Sequence, residues 1–260
     1  MPAVPDEVRG VELGQYCLML GDDALVMSHR LQEWVTHAPE LEEEVALANI
    51  ALDLLGQARV LLARAGAVDG SGRDEDALAF QREPGEYRNV RLAEVPNGDF
   101  AHTMGRLLVF ATWRLALLGR LTGSRDPMLA AVAAKGVKEL VYHRDYAAGW
   151  VVRLGDGTAY SRERMAEGLA ALWPLVAELF VPCPAEQRLA AAGIAADPAA
   201  VRPEFDAVLA EVLTAATLGT PGPVSADAVP AGREGSHTPA LADLLGDLQQ
   251  VARAHPGATW

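Results

Sequence analysis

Six histidines, two cysteines and 35 carboxylates carry most of the chemical reach of this 260-residue chain. His29, His37, His102, His143, His237 and His255 are scattered, and no two sit at metal-ligand spacing. Cys17 and Cys183 make no C-x-x-C and no disulfide framework, a pattern that suits a reducing compartment. The glycine-rich phosphate cradles are absent, as are the G-x-S-x-G elbow and the H-E-x-x-H zinc helix. What remains to test is a carboxylate-bridged metal pair inside a helical bundle. It needs a carboxylate from each of two helices and Glu-x-x-His from each of two others. The segments Ala48 to Gln57 and Lys138 to His143 come nearest, and neither contains Glu-x-x-His. The segment 103–121 holds no Asp or Glu, so it offers no mid-helix oxygen ligand.

The elements that would position these residues are all helical. Proline is expelled from helix interiors, and none occurs between Pro5 and Pro39, Pro39 and Pro84, Pro96 and Pro127, or Pro127 and Pro174. Ala, Leu, Arg and Glu dominate, and no alternation of β-branched and polar residues recurs. The pattern predicts core helices over about 7–36, 40–65, 97–121 and 126–154. Further helices are expected over about 158–180, 203–218 and 239–254. Pro39 is placed in the first turn of the second helix, Asn97 and Asp126 as caps, and Pro174 as a bend. The stretch 219–235, rich in Pro, Gly and Ser, reads as a loop. Two long pairs joined by a crossover are the plan of a ferritin-like four-helix bundle, here a single domain over 1–260 with additional C-terminal helices.

Composition narrows the function classes. With 35 acidic and 22 basic residues the net charge is −13, which argues against nucleic acid and against an anionic membrane surface. Half the residues are apolar, enough for a packed core. The first ten residues lack the apolar run of a signal peptide, and no uncharged stretch has the length of a membrane span. A cytoplasmic protein with no membrane contact is expected. Lys135 and Lys138 are its only lysines.

Several long runs resemble one family. They include Tyr16-Cys17-Leu18-Met19-Leu20-Gly21-Asp22-Asp23-Ala24-Leu25, His37-Ala38-Pro39-Glu40-Leu41-Glu42-Glu43-Glu44, and the stretch from Ala46 to Arg59. Glu94 to Thr103, Arg153 to Thr158, Gly232-Arg233-Glu234-Gly235-Ser236-His237-Thr238 and the end Pro256 to Trp260 are similar too. Together they look like the PaaC family of phenylacetyl-CoA epoxidase components, over nearly the whole chain. The resemblance implies a multicomponent monooxygenase of phenylacetate breakdown that uses O₂ and reducing equivalents to form the ring-1,2-epoxide of phenylacetyl-CoA. It implies that the di-iron centre belongs to a catalytic partner subunit and that this chain has no catalytic residue, no metal and no cofactor of its own. It further implies a structural role beside that partner, with other small subunits and an FAD and iron–sulfur reductase as additional partners.

The resemblance also locates where ligands are lost. The catalytic relative reads Asp-Glu-x-Gly-His and Lys-Glu-Glu-x-x-His. Here these become Asp53-Leu54-Leu55-Gly56-Gln57 and Lys138-Glu139-Leu140-Val141-Tyr142-His143. Both ligand glutamates fall on leucine, one histidine becomes Gln57, and the other remains as His143. At about 100° per residue, Leu54 and Gln57 share a direction with Ile50 and Leu61, and Leu140 and His143 share one with Gly136 and Ala147. Asp53 and Glu139 lie some 70° off those directions. They are flank residues in water or lean inward, and Asn49 shares the Asp53 stripe. Lys135 and Glu139 form an i, i+4 pair. Lys135 and Lys138 are surface decoration or meet acidic groups of a partner, and Arg233 and His237 read as anchors of the tail. Trp34, Trp113, Trp150 and Trp173 read as core. Leu18, Leu25, Val26, Leu31, Trp34, Val45, Leu52 and Leu62 are apolar residues left over for a partner surface. Two other readings stay open: an all-α scaffold or CoA-thioester-binding module outside any oxygenase, and a di-metal oxygenase in its own right.

Overall fold

The computed structural model describes residues 1–222, 228–256 and 258. Part of the 219–235 loop and most of the 256–260 run therefore lie outside the described residues. The described residues form ten α-helices and no strand. They are α1 (Gly10–Gln32), α2 (Leu41–Val68), α3 (Glu75–Phe80), α4 (Arg91–Glu94), α5 (Phe100–Leu121), α6 (Pro127–Gly155), α7 (Ala159–Val176), α8 (Pro184–Ala191), α9 (Arg202–Ala215) and α10 (Pro239–Ala254). The fold class is all-α and ferritin-like, as its sequence predicts. The chain packs as two compact units: Met1–Pro96 with Asp126–Met128 and Ala231–Trp260, and Asn97–Arg125 with Leu129–Pro230.

Local backbone constraints set the helix ends and explain where the expected ranges shift. The sequence pattern places the first helix over 7–36. Glu7 (φ 68°) and Thr36 (φ 73°) are left-handed, so neither can sit inside a right-handed helix, and α1 is shorter at both ends. Pro39 lies outside the second helix, whose cap is Glu40. The acidic residues Glu42, Glu43 and Glu44 fill its first turn, where the helix dipole favours negative charge. That helix runs past 65 to Val68 and stops before Gly70 (φ 81°), which supplies the left-handed turn after it. Asp99, not Asn97, caps α5 by accepting the His102 amide, because Gly98 (φ 62°) breaks the chain between them. Asn97 instead accepts the Arg106 guanidinium at its side chain and the Thr103 hydroxyl at its carbonyl. Asp126 does cap α6, through the Met128 amide at 3.0 Å.

The later helices show similar adjustments. Thr158 caps α7 through Ser161. The range 158–180 divides: α7 passes through Pro174, whose missing N–H starves a carbonyl one turn back, and tightens into a 3₁₀ turn over Ala177–Phe180. Thr217 (φ 57°) stops α9 at Ala215 rather than 218. Up to Val95 the sequence pattern predicts a loop with one short helix, where the structure has two, α3 and α4; α8 falls outside the expected set, since eight residues show too little periodicity.

In the first unit α1 and α2 are antiparallel. The backbone of Gly10 lies beside Val68, Gly14 beside Ala65 and Asp69, and Gly21 beside Leu62, while the Ser28 hydroxyl donates to the Ala51 carbonyl at 2.6 Å. In the second unit α5 and α7 run parallel. Gly105 faces Met165, Leu169 and Leu172, and the Trp113 indole donates to the Leu179 carbonyl at 2.9 Å. Phe100 meets Trp150 edge-on at 5.0 Å, so α6 returns antiparallel to α5. Trp34, Trp113 and Trp173 are buried and Trp150 is half-buried.

The close α1–α2 approach decides which apolar residues are left for a partner. Leu25, Val26, Leu31, Trp34 and Leu62 are buried within the chain, and Leu18 is half-buried. Val45 and Leu52 alone of that set remain exposed, joined on α2 by Leu41 and Leu55. The expected set is too broad because each helix of the pair buries more than one stripe. The 28-residue α2 is long and apolar enough to cross a membrane, with a window of mean hydropathy 1.5, and half of that window is buried inside the protein.

Two glycines of α2 give a test of opposite sign. A Cβ on Gly66 would collide with the Arg73 carbonyl, whereas one on Gly56 would meet nothing within 4 Å. Gly66→Ala should destabilise by about 1–3 kcal/mol through overpacking. Gly56→Ala should stabilise by about 0.5–1 kcal/mol through helix propensity. Urea unfolding midpoints of the two variants measure both, and equal shifts would contradict this packing.

Candidate functional site

The positions that the resemblance aligns with metal ligands occupy the buried faces of two helices. On α2, Ile50, Leu54 and Leu61 have no exposed surface and Gln57 is buried. On α6, Leu140, His143 and Ala147 have none either, and Gly136 is buried. The 100° step of the helix puts each foursome on one side. The flanking groups fall elsewhere: Asn49 is exposed, Asp53 is half-buried, and Lys135 and Lys138 face solvent. Glu139 is half-buried and pairs with Lys135 one turn earlier on the same helix. A pair with so exposed a lysine contributes a few tenths of a kcal/mol at most.

Leucine has no lone pair to offer a metal. Both positions that the resemblance aligns with ligand glutamates are filled by buried hydrocarbon, and α5 carries no Asp or Glu over its whole length. Its buried polar side chains are Thr103, Arg106, Thr112 and Arg114, two neutral hydroxyls and two cations, with no carboxylate among them. Among the described residues no group of three His, Cys, Asp or Glu side chains lies close enough to hold a metal ion. A di-iron pair does not fit this donor set.

Both cysteines are buried, and His29 and His102 are half-buried. Burial pushes the Cys17 thiol far above its ordinary value, and Asp126 adds to the effect against Arg64. Burial raises Cys183 too, with Glu186 adding to it. His29 and His102 are held below the ordinary histidine value, mainly by burial, so both are neutral near pH 7. His102 is further fixed by a 2.8 Å contact from Nδ1 to the Asn97 carbonyl.

The first unit instead concentrates buried ion pairs that no sequence motif announces. Asp22 and Asp23 are adjacent and fully buried in α1. Asp22 takes both ends of the Arg82 guanidinium and the Arg88 amide at 2.8 Å. Asp23 takes Arg233 through both carboxylate oxygens, at 2.9 and 2.8 Å, and the Val90 amide at 2.8 Å. Arg64 pairs with Asp126 where neither side chain has exposed surface. Glu94 accepts Asn89, the Thr238 amide and His237, while Arg30 donates to its carbonyl. The available signal is two successive aspartates inside the apolar run Met19 to Leu25. Such carboxylates must meet cations, though nothing in the run names which.

Comparison with known proteins follows the same line. The phenylacetic acid catabolic protein family matches residues 3–260. Over 249 residues the chain is 44% identical to the C subunit of 1,2-phenylacetyl-CoA epoxidase from Escherichia coli (strain K12), covering 96% of this chain and 99% of that relative.

Restoring a ligand should harm this core. Leu54→Glu or Leu140→Glu should cost several kcal/mol, or keep the new carboxyl protonated, whereas Leu54→Met should cost under about 1.5 kcal/mol. Burial raises the new acid's pKa in the folded state above its unfolded value, so the deficit should grow as pH rises. Thermal melts at pH 5 and pH 8 check this, and glutamate variants that melt like the parent at both would show the two leucines to be dispensable.

Proposed function

The chain belongs to the phenylacetic acid catabolic protein family, and from that premise we propose that it is the non-catalytic structural subunit of a multicomponent 1,2-phenylacetyl-CoA epoxidase. Its partner is the subunit that holds the di-iron centre, with further small subunits and an FAD and iron–sulfur reductase completing the assembly. The observations that carry this reading are buried hydrocarbon at Leu54 and at Leu140, the two positions the resemblance aligns with ligand glutamates, and an α5 without Asp or Glu. A chain built this way offers hydrocarbon where iron would need oxygen ligands. Relatedness to an epoxidase subunit then supports a supporting role within the assembly.

The outward face of α2 supports a partner in particular. Leu41, Val45, Leu52 and Leu55 are 70%, 52%, 60% and 38% exposed. At 100° per residue they fall within an arc of about 80°, opposite the buried Ile50, Leu54, Gln57 and Leu61. Leu55 also lines a recess of about 360 Å³ whose wall combines apolar Leu25, Leu62 and Phe80 with charged Arg59, Glu75 and Asp76. Contiguous apolar surface of this kind marks an interaction site. A stable obligate interface of this class buries on the order of 2,000 Å².

Three measurements test the reading. Purified alone, the chain should hold far less than one iron and show no oxygenase activity. Mixed with the catalytic subunit it should form a complex that survives size-exclusion chromatography, and epoxidation should need both chains and the reductase. Leu52→Lys should weaken that complex at least tenfold while leaving the fold intact. Two tightly bound irons per chain, or full turnover by the catalytic subunit and reductase alone, would refute the structural role.

A further inference from the structure

The run Gly232 to Thr238 has no part in the proposed role, yet it fastens the C-terminal segment to the first unit. Ala231–Ala254 reaches back over α1, α3 and α4 and buries Leu241, Leu244 and Leu245. Its tethers are polar. Arg233 holds Asp23 and the Met19 and Arg88 carbonyls. Gly235 turns the chain (φ 83°) against the Gly85 carbonyl. Arg30 donates to the Ala240 carbonyl at 2.9 Å, and Gln249 donates to the Arg82 carbonyl at 3.0 Å and to the Tyr87 hydroxyl at 3.1 Å.

His237 differs from these in its proton requirement. Its side chain is 4% exposed; Nδ1 lies 2.7 Å from a Glu94 carboxylate oxygen and Nε2 lies 3.0 Å from the Tyr87 carbonyl. Neither a carboxylate nor a carbonyl can donate, so both ring nitrogens must carry hydrogen for both bonds to exist. Only the imidazolium meets that condition. Removing one proton leaves a ring lone pair buried against an oxygen lone pair. We propose that Ala231–Ala254 is a pH-governed strap, clamped onto the first unit by doubly protonated His237 and loosened when that proton is lost.

The surrounding charges are consistent with the clamp. Glu94 on α4 and Asp22 on α1 are the carboxylates that face the ring. The neighbouring cations are committed elsewhere: Arg30 to the Glu94 carbonyl, Arg82 to Asp22, and Arg233 to Asp23. Asn89 donates to the Glu94 oxygen that His237 also engages, at 2.8 Å. Burial by itself would lower the imidazole. The hydrogen bonds to Glu94 and the Tyr87 carbonyl, with the charges of Glu94 and Asp22, outweigh it and raise the group above its ordinary value. Tyr87, whose phenol burial pushes up, stays neutral and donates to the Ala79 carbonyl. Of these tethers His237 is the one whose side-chain type ordinarily changes charge between pH 5 and 8.

The direction follows from the sign of that shift. A raised pKa in the clamped state means the clamp is at full strength below about pH 6.5, the unclamped value. Above that it weakens by up to tenfold per pH unit, until the pH passes the clamped pKa.

Nitrogen-15 spectra of the histidine-labelled full chain read the protonation directly. His237 should show two protonated nitrogens at pH 6.5 and titrate above it. Amide exchange, corrected for its intrinsic pH dependence, should show protection across 239–254 falling at least fivefold between pH 6.5 and 8.5, while α5 is unchanged. His237→Gln should remove that pH dependence, and Glu94→Gln should lower the His237 titration point should the first variant fail to fold. A neutral single tautomer at pH 6.5, or equal protection of the strap at both pH values, would overturn the proposal.

Discussion

Asp22 and Asp23 are adjacent carboxylates with no exposed surface, and the first unit is arranged around keeping them paired. Burying an ionised carboxylate costs several kcal/mol unless a cation and hydrogen bonds replace its water. Successive helical positions diverge by about 100°, so one arginine cannot serve both. Asp22 takes Arg82 and the Arg88 amide; Asp23 takes Arg233 and the Val90 amide. The two acids thereby draw the loop 82–90 and the segment from residue 231 onward to the middle of α1. Arg82 also stacks on the Tyr87 ring at 4.0 Å, which fixes the loop from its own side. A buried pair of this kind adds little to net stability compared with an apolar core, but it tolerates only one arrangement of its partners.

The positions that the resemblance aligns with metal ligands obey the opposite rule. A metal pair in a bundle requires several carboxylates close together inside, and only the ions offset their desolvation. Without ions, such a centre would be a cluster of like charges in hydrocarbon. Leu54 and Leu140 remove that conflict, and the small residues Gly136 and Ala147 share the buried face of α6 with His143. Gln57 and His143 share those buried faces with hydrocarbon.

How much of this is legible in the sequence depends on the range of the interaction. Helix existence and phase follow from local pattern, so the buried faces Ile50 to Leu61 and Gly136 to Ala147 can be drawn from the 3.6-residue period alone. Helix ends depend on single residues taking left-handed backbone at Glu7, Thr36, Gly98 and Thr217, and for residues other than glycine nothing in the sequence demands that. The ion pairs are hidden for a further reason. Arg82–Asp22, Arg233–Asp23 and Arg64–Asp126 join residues roughly 60 to 210 positions apart, and with most of the cations arginine, residue type does not single out the partners. The surplus of apolar residues on α1 and α2 is visible, but its division between core and surface is not. Leu25, Val26 and Leu62 vanish into a helix pair brought close by Gly10, Gly14 and Gly21.

That division gives α2 its unusual character. Its inner face holds Ile50, Leu54 and Leu61, and its opposite face holds Leu41, Val45, Leu52 and Leu55, so hydrocarbon appears on both sides of one helix. A surface helix that packs on one neighbour needs only a single apolar stripe about 100° wide. A second stripe on the far side lowers solubility and gains nothing unless it is covered. The acidic first turn, Glu42 to Glu44, and Arg59 near the other end mark the limits of that stripe with charge, as the polar rim of an interface does. The inner face packs against the chain's own core. The outer face reflects what the proposed role requires, a second protein held against it.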